Sequence, residues 1–325
     1  MREAKFIRKN REKWLSFEQV IAQNESAQPD ELANVFIELT NDLAYARTFF
    51  PDGKTVPYLN GLSARVHQSL YKNKKEQRHR LISFWKTELP LLMTEVHPQM
   101  LYAFLFFVSF AIIGALSAHY DDTFVRLILG DEYVNMTINN IQRDDPMGVY
   151  KDDDKMGMFL FIALNNINVS FLAFALGALG SVGTIYILFR NGVMVGTFQY
   201  LFFQYGGKDL LISSALTIWI HGTLEISAIV IAGGAGLTMG NSLLFPQTYA
   251  RLVSFKKGAK KGLKVIIGLI PIFVFAAFLE GFVTRLTDLP NIVKLSIILF
   301  SLTFIGWYFV WYPIRLRKNQ PPPTT

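Results

Sequence analysis

The chain has 325 residues, of which 51% are hydrophobic and only 18% are charged. Soluble domains carry about 25% charged residues, so this composition indicates a membrane protein and argues against a chain built of soluble domains alone. The formal charge is +7, but the basic residues lie mainly beside apolar runs, where anionic lipid headgroups explain them better than nucleic acid does. Because the chain contains no cysteine, disulfide frameworks, catalytic thiolates and cysteine-ligated zinc are excluded.

Residues 1–99 are predicted to form a cytoplasmic helical head. The N-terminus is charged and lacks the short apolar stretch of a signal peptide, so we expect the first segment to stay in the cytoplasm. Pro29 marks a helix start, and the segment 51–57 breaks the chain between helices. The apolar stripes of these helices could be completed by a partner or by the membrane domain, but packing within the head is favoured. The longest stripe contains Leu32, Val35, Phe36, Leu39, Leu43 and Ala46, and shorter stripes begin at Trp14 and Leu62.

Residues 100–318 are predicted to form the membrane domain of an all-α, polytopic membrane protein. The first apolar run, 100–118, is about long enough to cross ~30 Å of hydrocarbon. Segments 158–189 and 210–245 are too long for one untilted crossing, so they are predicted to be tilted, broken or re-entrant. Counting crossings between the charged segments gives six transmembrane segments. If the short apolar piece 193–205 is re-entrant, a second re-entrant piece must follow and four full crossings remain.

The charge distribution predicts how these segments are oriented. Segments 71–86 and 251–264 are strongly basic, whereas 120–157 carries nine acidic and four basic residues. By the positive-inside rule the basic segments are cytoplasmic and 120–157 is an external acidic segment. We therefore expect a multi-pass protein with both termini in the cytoplasm and a disordered tail at 319–325.

The candidate functional residues lie inside the apolar segments. His221 and Glu225 are four residues apart, so one helix face carries both and they can pair. An ionised carboxylate near the middle of the bilayer costs on the order of 2.5–3.5 kcal/mol, which disfavours a lipid-facing position. In order of preference, the pair locks helix packing, forms part of a proton or ion pathway, or has a metal-binding or catalytic role.

Other polar residues are expected to be structural. Glu280 could approach His221 across the bundle, but its place near the end of a span favours snorkelling to the surface. Asn165, Asn166, Asn168 and Asn191 are predicted to hydrogen-bond carbonyls across helices, each worth roughly 0.6–2 kcal/mol. A closed zinc site needs about four ligands, and the other histidines lie in the head or at the membrane edge. We therefore predict no metal site, no catalytic residue and no cofactor.

Glycines in the apolar segments predict close helix contacts or helix breaks. Gly192 belongs to a polar turn predicted at 190–192, and Gly222 adjoins the His and Glu pair. The run of Gly233, Gly234 and Gly236 predicts either a break in the helix or a very close neighbour. Such glycine faces permit a homo-oligomer but do not require one.

Two ordered motifs resemble a known family. They are NNINVSFLAFALGALGSVGTIYILFRNGVMVG at 165–196 and HGTLEISAIVIAGGAGLTMG at 221–240. Together they are similar to the stage II sporulation protein M family of bacterial integral membrane proteins. The resemblance covers roughly residues 100–318, and the N-terminal region resembles the cytoplasmic head of longer, non-sporulation members. By position, the HG-x-x-E of the family falls on His221, Gly222 and Glu225, and its NG falls on Asn191 and Gly192.

The resemblance implies a scaffold role in the bacterial cytoplasmic membrane. In sporulating bacteria the family member resides in the membrane with two partners that degrade peptidoglycan, and it anchors or places them. Longer members occur in bacteria that form no spores, often encoded near a chaperone-type ATPase and von Willebrand factor-like proteins. The expected partners are therefore membrane lipids and other membrane or envelope proteins, such as peptidoglycan hydrolases or a chaperone-type ATPase.

Three hypotheses about function follow. The leading one is a non-enzymatic scaffold whose head and external acidic segment recruit partners on opposite faces of the membrane. The alternative is a transporter or channel, in which interrupted helices place His221 and Glu225 beside a polar path. The third, an intramembrane hydrolase using Glu225 with His221 as general base, lacks an identified nucleophile or activated water. Motifs of the types GxxxxGK[ST], HExxH and GxSxG do not occur in the sequence.

Overall fold

The structure, a computed structural model, describes residues 3–22, 29–71, 80–143, 146, 148, 155–286 and 289–319. Within these ranges the chain forms helices joined by turns, and no strand is present. The chain divides into two compact units between Arg80 and Leu81, earlier than the boundary at residue 99 expected from the sequence. The boundary lies there because one continuous helical stretch, Arg80–Tyr120, leads into the first apolar run and belongs almost wholly to the second unit. Three predicted features lie wholly or mostly outside the described residues: the basic residues at 72–79, the acidic residues 144–145 and 152–154, and the tail at 320–325.

The described part of the N-terminal unit is a helical bundle with a core of its own. Leu39, Leu59 and Leu62, from the second and third helices, are fully buried there. The indole of Trp14 donates a hydrogen bond to Asp42 over 2.8 Å, which ties the first helix to the second. The predicted stripes thus pack against one another within the unit, as the favoured alternative required. The helices are α1 (Glu3–Ala22), α2 (Pro29–Phe49) and α3 (Thr55–Tyr71).

The second unit contains the long apolar helices. Within its described residues, α-helices alternate with short 3-10 or π-helical segments. In chain order these are α4 (Arg80–Ser83) and a π-helical turn (Phe84–Glu88), α5 (Leu89–Tyr120), α6 (Asp122–Leu129), α7 (Asp131–Gln142), α8 (Lys155–Ala175) and a 3-10 turn (Leu176–Leu179), α9 (Val182–Leu244), α10 (Arg251–Phe278) and a π-helical segment (Leu279–Thr284), α11 (Asn291–Gly306), a π-helical turn (Trp307–Trp311) and α12 (Tyr312–Lys318).

Five helical stretches among the described residues are long and apolar enough to cross a membrane. This confirms the prediction of an all-α polytopic membrane protein with an N-terminal helical domain. The stretches are Arg80–Tyr120, Met156–Leu179, Val182–Leu244, Arg251–Thr284 and Asn291–Lys318.

The longest stretch, α9, is a helical hairpin. As one straight helix its 63 residues would extend about 95 Å, roughly three times the hydrocarbon thickness. Gly207 interrupts it with φ 62° and ψ −155°, a conformation that glycine adopts without steric strain. Residues on either side of this turn are neighbours: a Cβ added at Gly233 would lie 2.8 Å from the side chain of Leu188. Arms 182–206 and 208–244 therefore run antiparallel, so the described residues of the unit form six long apolar segments. The number of crossings stays a prediction.

The two overlong apolar segments differ in how they accommodate their length. Segment 158–189 is broken at Gly180 and Ser181, where φ is 63° and 71°. Segment 210–245 is helical from its start to Leu244, so the glycine run at 233–236 causes no break. The turn predicted at 190–192 is wrong, because these residues lie inside the first arm of α9 and the chain reverses at Gly207 instead.

The six segments end in two regions of opposite charge. At one, here called the acidic end, Gln204 near the hairpin turn donates to Asp122 of α6 over 2.7 Å. At the other, the basic end, Lys264 of α10 pairs with Glu88 before α5. The fold therefore separates the acidic 121–132 region from the basic start of α10, as the charge pattern predicted. Which end faces the cytoplasm stays a prediction.

A polar cavity inside the membrane domain

A cavity of about 520 Å³ lies between α8, the two arms of α9 and the π-helical segment that follows α10, and residues of α6 and α7 also line it. Phe161 and Met194 line it and are also exposed on the outer surface, so the cavity opens sideways between α8 and the first arm of α9. Among the described lining residues there is no lysine or arginine. The polar side chains of the lining belong to Tyr133, Asn165, Asn166, Gln199, Trp219, His221, Glu225 and Glu280.

The second arm of α9 positions His221 and Glu225 on the same helix face, as their spacing predicted. Gly222 also lines the cavity, and a Cβ added there would meet only the side chain of Ile218, at 3.9 Å. Gly222 is therefore not a close-packing position, unlike the other glycines singled out from the sequence. Its missing side chain leaves open space beside His221.

Glu280 points into the helix bundle and does not snorkel to the surface. Its Oε2 lies 3.7 Å from Nε2 of His221, and the two side chains are only 15% and 6% exposed. The other imidazole nitrogen, Nδ1, lies 2.9 Å from Oγ1 of Thr284. Glu280 and Thr284 lie on the same face of the π-helical segment, so Thr284 contacts one imidazole nitrogen of His221 and Glu280 lies near the other.

Glu225 completes a cluster of three ionisable side chains. One ligand atom from each of His221, Glu225 and Glu280 lies within 4.8 Å of the others. The amide of Asn166, on α8, is within hydrogen-bonding reach of the Glu225 carboxylate. Asn165 donates to Asn166 over 3.4 Å, so this pair of amides lines the wall of the cavity opposite Glu225.

Asn191 lies apart from this cluster. Its side chain donates to the carbonyl of Ile187 in its own helix over 2.8 Å, so the predicted bond across helices is not formed. The next residue, Gly192, packs against α5: a Cβ there would lie 2.8 Å from the carbonyl oxygen of Phe107. These two positions therefore belong to the contact between α5 and α9, and not to the cavity.

Close glycine contacts hold the second arm of α9 in place. A Cβ added at Gly234 would lie 2.8 Å from Cα of Met100 on α5. One added at Gly236 would lie 2.5 Å from the carbonyl oxygen of Ala173 on α8. Of the two alternatives predicted for this glycine run, the structure shows the close neighbour. Backbone contact on both sides fixes the arm that carries His221 and Glu225.

Sequence reasoning missed two residues of the site. Thr284 lies four residues after Glu280, and this helical spacing was a signal that could have identified it. Tyr133 comes from α7 at the acidic end, more than 80 residues before His221, and no local pattern marks it. Burial raises the pKa of Tyr133 to about 12, against the opposing effect of a hydrogen bond with Thr137 and with a smaller contribution from Glu280. The phenol therefore stays neutral at the wall of the cavity.

The whole cluster lies within a recognised family domain. Residues 103–285 match the family described as Stage II sporulation protein M. The chain belongs to this family. The match contains His221, Glu225 and Glu280, and it confirms the resemblance seen in the sequence motifs. Residues 4–72, the helices of the head, match a domain of unknown function, DUF8413. No curated protein and no solved structure matched the chain.

Proposed function

We propose that this chain is a membrane scaffold whose head recruits a partner protein to the membrane domain. Membership of the stage II sporulation protein M family supports the proposal, because the resemblance implies a protein that places cell-wall enzymes in the membrane. The expected setting is the bacterial cytoplasmic membrane, with both termini in the cytoplasm. The expected partners are peptidoglycan hydrolases outside the membrane, recruited by the external acidic segment, and a chaperone-type ATPase in the cytoplasm, recruited by the head; no enzymatic activity is assigned to the chain.

The observation that carries this proposal is the separate core of the head. The helices α1 to α3 bury their apolar stripes against one another, so the stripes are satisfied within residues 3–71. The carboxylate of Glu3 accepts hydrogen bonds from the backbone and hydroxyl of Thr55, which fixes α1 to the start of α3. The apolar core of the head therefore does not depend on a partner, and a partner would bind side chains on a surface outside that core.

A groove between α1 and α3 provides such a surface. Its volume is about 370 Å³. The apolar side chains of Ile7, Leu15 and Tyr58 line it and remain 37%, 47% and 38% exposed. Apolar side chains inside a charged rim are typical of protein interaction sites. The charged residues of the lining are Arg11, Glu18 and Lys54.

Affinity purification of the full chain from native membranes tests the proposal, with quantitative mass spectrometry of the retained proteins. Leu15→Glu changes the groove, and Ile37→Glu is the matched control because Ile37 is 58% exposed on α2, outside the groove. We expect the wild type and Ile37→Glu to retain the same partner at a fixed ratio. Leu15→Glu should retain at least tenfold less of that partner per chain. Equal recovery with both variants, or a wild-type chain that purifies alone, would contradict the proposal.

A transporter or channel is the second candidate, and the polar cavity is the observation that favours it. Ionisable groups inside membrane segments commonly mark ion or proton paths. His221 and Glu280 lie at the wall of the cavity, which opens to the surface between α8 and α9. Flux of protons and divalent cations into proteoliposomes tests this candidate, with Glu280→Gln as the variant and Glu132→Gln as the control. Absence of flux, or equal flux in the two variants, would rule out the transporter or channel function.

A further inference from the structure

The three ionisable side chains of the cavity lie close together. The distance of 3.7 Å between His221 Nε2 and Glu280 Oε2 exceeds the 2.7–3.2 Å of an N–H···O hydrogen bond. Glu225 approaches the same point, since one atom of each side chain lies within 4.8 Å of the others. Three potential ligand atoms, one from each side chain, therefore converge on one place in the cavity.

The ionisable groups that converge in the cavity favour binding of a cation. With both carboxylates ionised and the imidazole neutral, the cluster would carry a formal charge of −2, and the described lining of the cavity contributes no lysine or arginine. Buried carboxylates are stable only when they are neutralised, paired or bound to a metal. A divalent cation would bring the cluster to zero net charge, whereas the neutral Asn166 amide and Thr284 hydroxyl add hydrogen bonds without charge.

The surroundings of His221 match those of a metal-binding histidine. Its Nδ1 lies 2.9 Å from the Thr284 hydroxyl, and a proton held at Nδ1 leaves the lone pair of Nε2 directed at Glu280. Metal-binding histidines usually donate their second nitrogen to a neighbouring oxygen in this way, which fixes the tautomer and the ring orientation. Asn166 restrains the Glu225 carboxylate in a similar manner.

We propose that His221 Nε2 and the carboxylates of Glu225 and Glu280 bind a divalent transition-metal ion. A mixed imidazole and carboxylate ligand set suits Zn²⁺ and its first-row neighbours, whereas Ca²⁺ and Mg²⁺ prefer oxygen ligands alone. Three protein ligands leave a coordination position open to the cavity, as in zinc sites that exchange a bound water or ligand. Ligands of a tetrahedral zinc ion lie about 3.3 Å apart, so small side-chain movements bring the observed atoms into place.

The proposal goes beyond the scaffold function and is independent of it. It concerns the same cavity as the transport candidate but needs no flux. It also departs from the sequence-based expectation of no metal, which rested on the absence of further histidines in the membrane domain to complete a closed four-ligand zinc site. The third ligand, Glu280, is brought to His221 by the fold.

Zinc binding to the full chain tests the proposal. The protein is purified in detergent with a histidine-free tag, stripped with a chelator, incubated with Zn²⁺ and analysed for metal content. We expect about one Zn²⁺ per wild-type chain and at least a tenfold loss of affinity in Glu225→Gln and Glu280→Gln. Glu132→Gln, an exposed position on α7, should bind like the wild type. Wild-type protein at background zinc, or equal affinity in all variants, would overturn the proposal.

If the cluster variants do not fold, spectroscopy of the wild-type protein tests the metal site instead. Co²⁺ in the wild-type site should give the visible absorption of a four- or five-coordinate ion, and X-ray absorption should show one imidazole nitrogen with oxygen ligands. Sulfur ligation from cysteine is excluded because the chain has none. A spectrum of hexaaqua Co²⁺ would overturn the proposal and would indicate that protons neutralise the carboxylates. Neither outcome changes the partner recovery that tests the scaffold.

Discussion

Gly222 and Gly234 lie on the same arm of α9, and replacing each with alanine should have opposite effects on stability. Alanine is favoured over glycine inside a helix by about 0.8–1 kcal/mol. At Gly222 the added Cβ meets only Ile218, at 3.9 Å. Gly222→Ala should therefore raise the free energy of unfolding by about 0.8–1 kcal/mol. At Gly234 the Cβ would lie 2.8 Å from Cα of Met100, and α5 must move to admit it.

The expected size of the difference follows from these two contacts. Overpacking a close contact costs typically 1–3 kcal/mol, which at Gly234 opposes the gain in helix propensity. Gly222→Ala should therefore be more stable than Gly234→Ala by about 1–3 kcal/mol. Thermal unfolding of the full chain in detergent, followed by tryptophan fluorescence, should separate the two midpoints by roughly 2–12 °C. Equal midpoints, or a more stable Gly234→Ala, would refute the packing of α9 on α5.

Further predictions concern the acidic end and the hairpin. Asp121 accepts from the backbone N–H of Thr123 over 2.9 Å, so Asp121→Ala should speed amide exchange in the first turn of α6. The hydrogen bonds from Thr123 lower the pKa of Asp121, so this protection should be present near neutral pH in the wild type and be lost as the pH falls through that lowered pKa. Gly207→Ala should lower the free energy of unfolding by about 1–3 kcal/mol, because only glycine readily adopts φ of 62° with ψ of −155°. An unchanged unfolding midpoint would argue against the turn. Single cysteines at Lys208 and Lys256 should react with a membrane-impermeant maleimide from opposite sides, and labelling of both from one side would contradict the predicted orientation.

Local patterns in the sequence predicted much of the fold. The stripe containing Leu39 and Leu43 predicted α2 and its buried face, because helical periodicity depends on residues only three and four apart. The start of that helix at Pro29 was predicted for the same local reason. The motifs at 165–196 and 221–240 identified the family, and their match to residues 103–285 confirms it.

Other features depended on contacts between distant residues. Glu280 reaches His221 from about sixty residues away, and no rule based on spacing could select this orientation over snorkelling. The turn expected at Asn191 was wrong because packing against α5 keeps the helix continuous there, so the chain reverses at Gly207. The cavity itself is formed by side chains from α8, α9 and the segment after α10, and only the assembled bundle defines it.

The mass and composition of the native particle test the scaffold proposal most directly. The full chain, purified gently from native membranes and weighed by native mass spectrometry, has a polypeptide mass of 36.9 kDa. We predict a particle in which this chain is joined, at a fixed ratio, by at least one different protein that depends on the head groove. A particle containing only this chain, as a monomer or a homo-oligomer, would contradict the scaffold function.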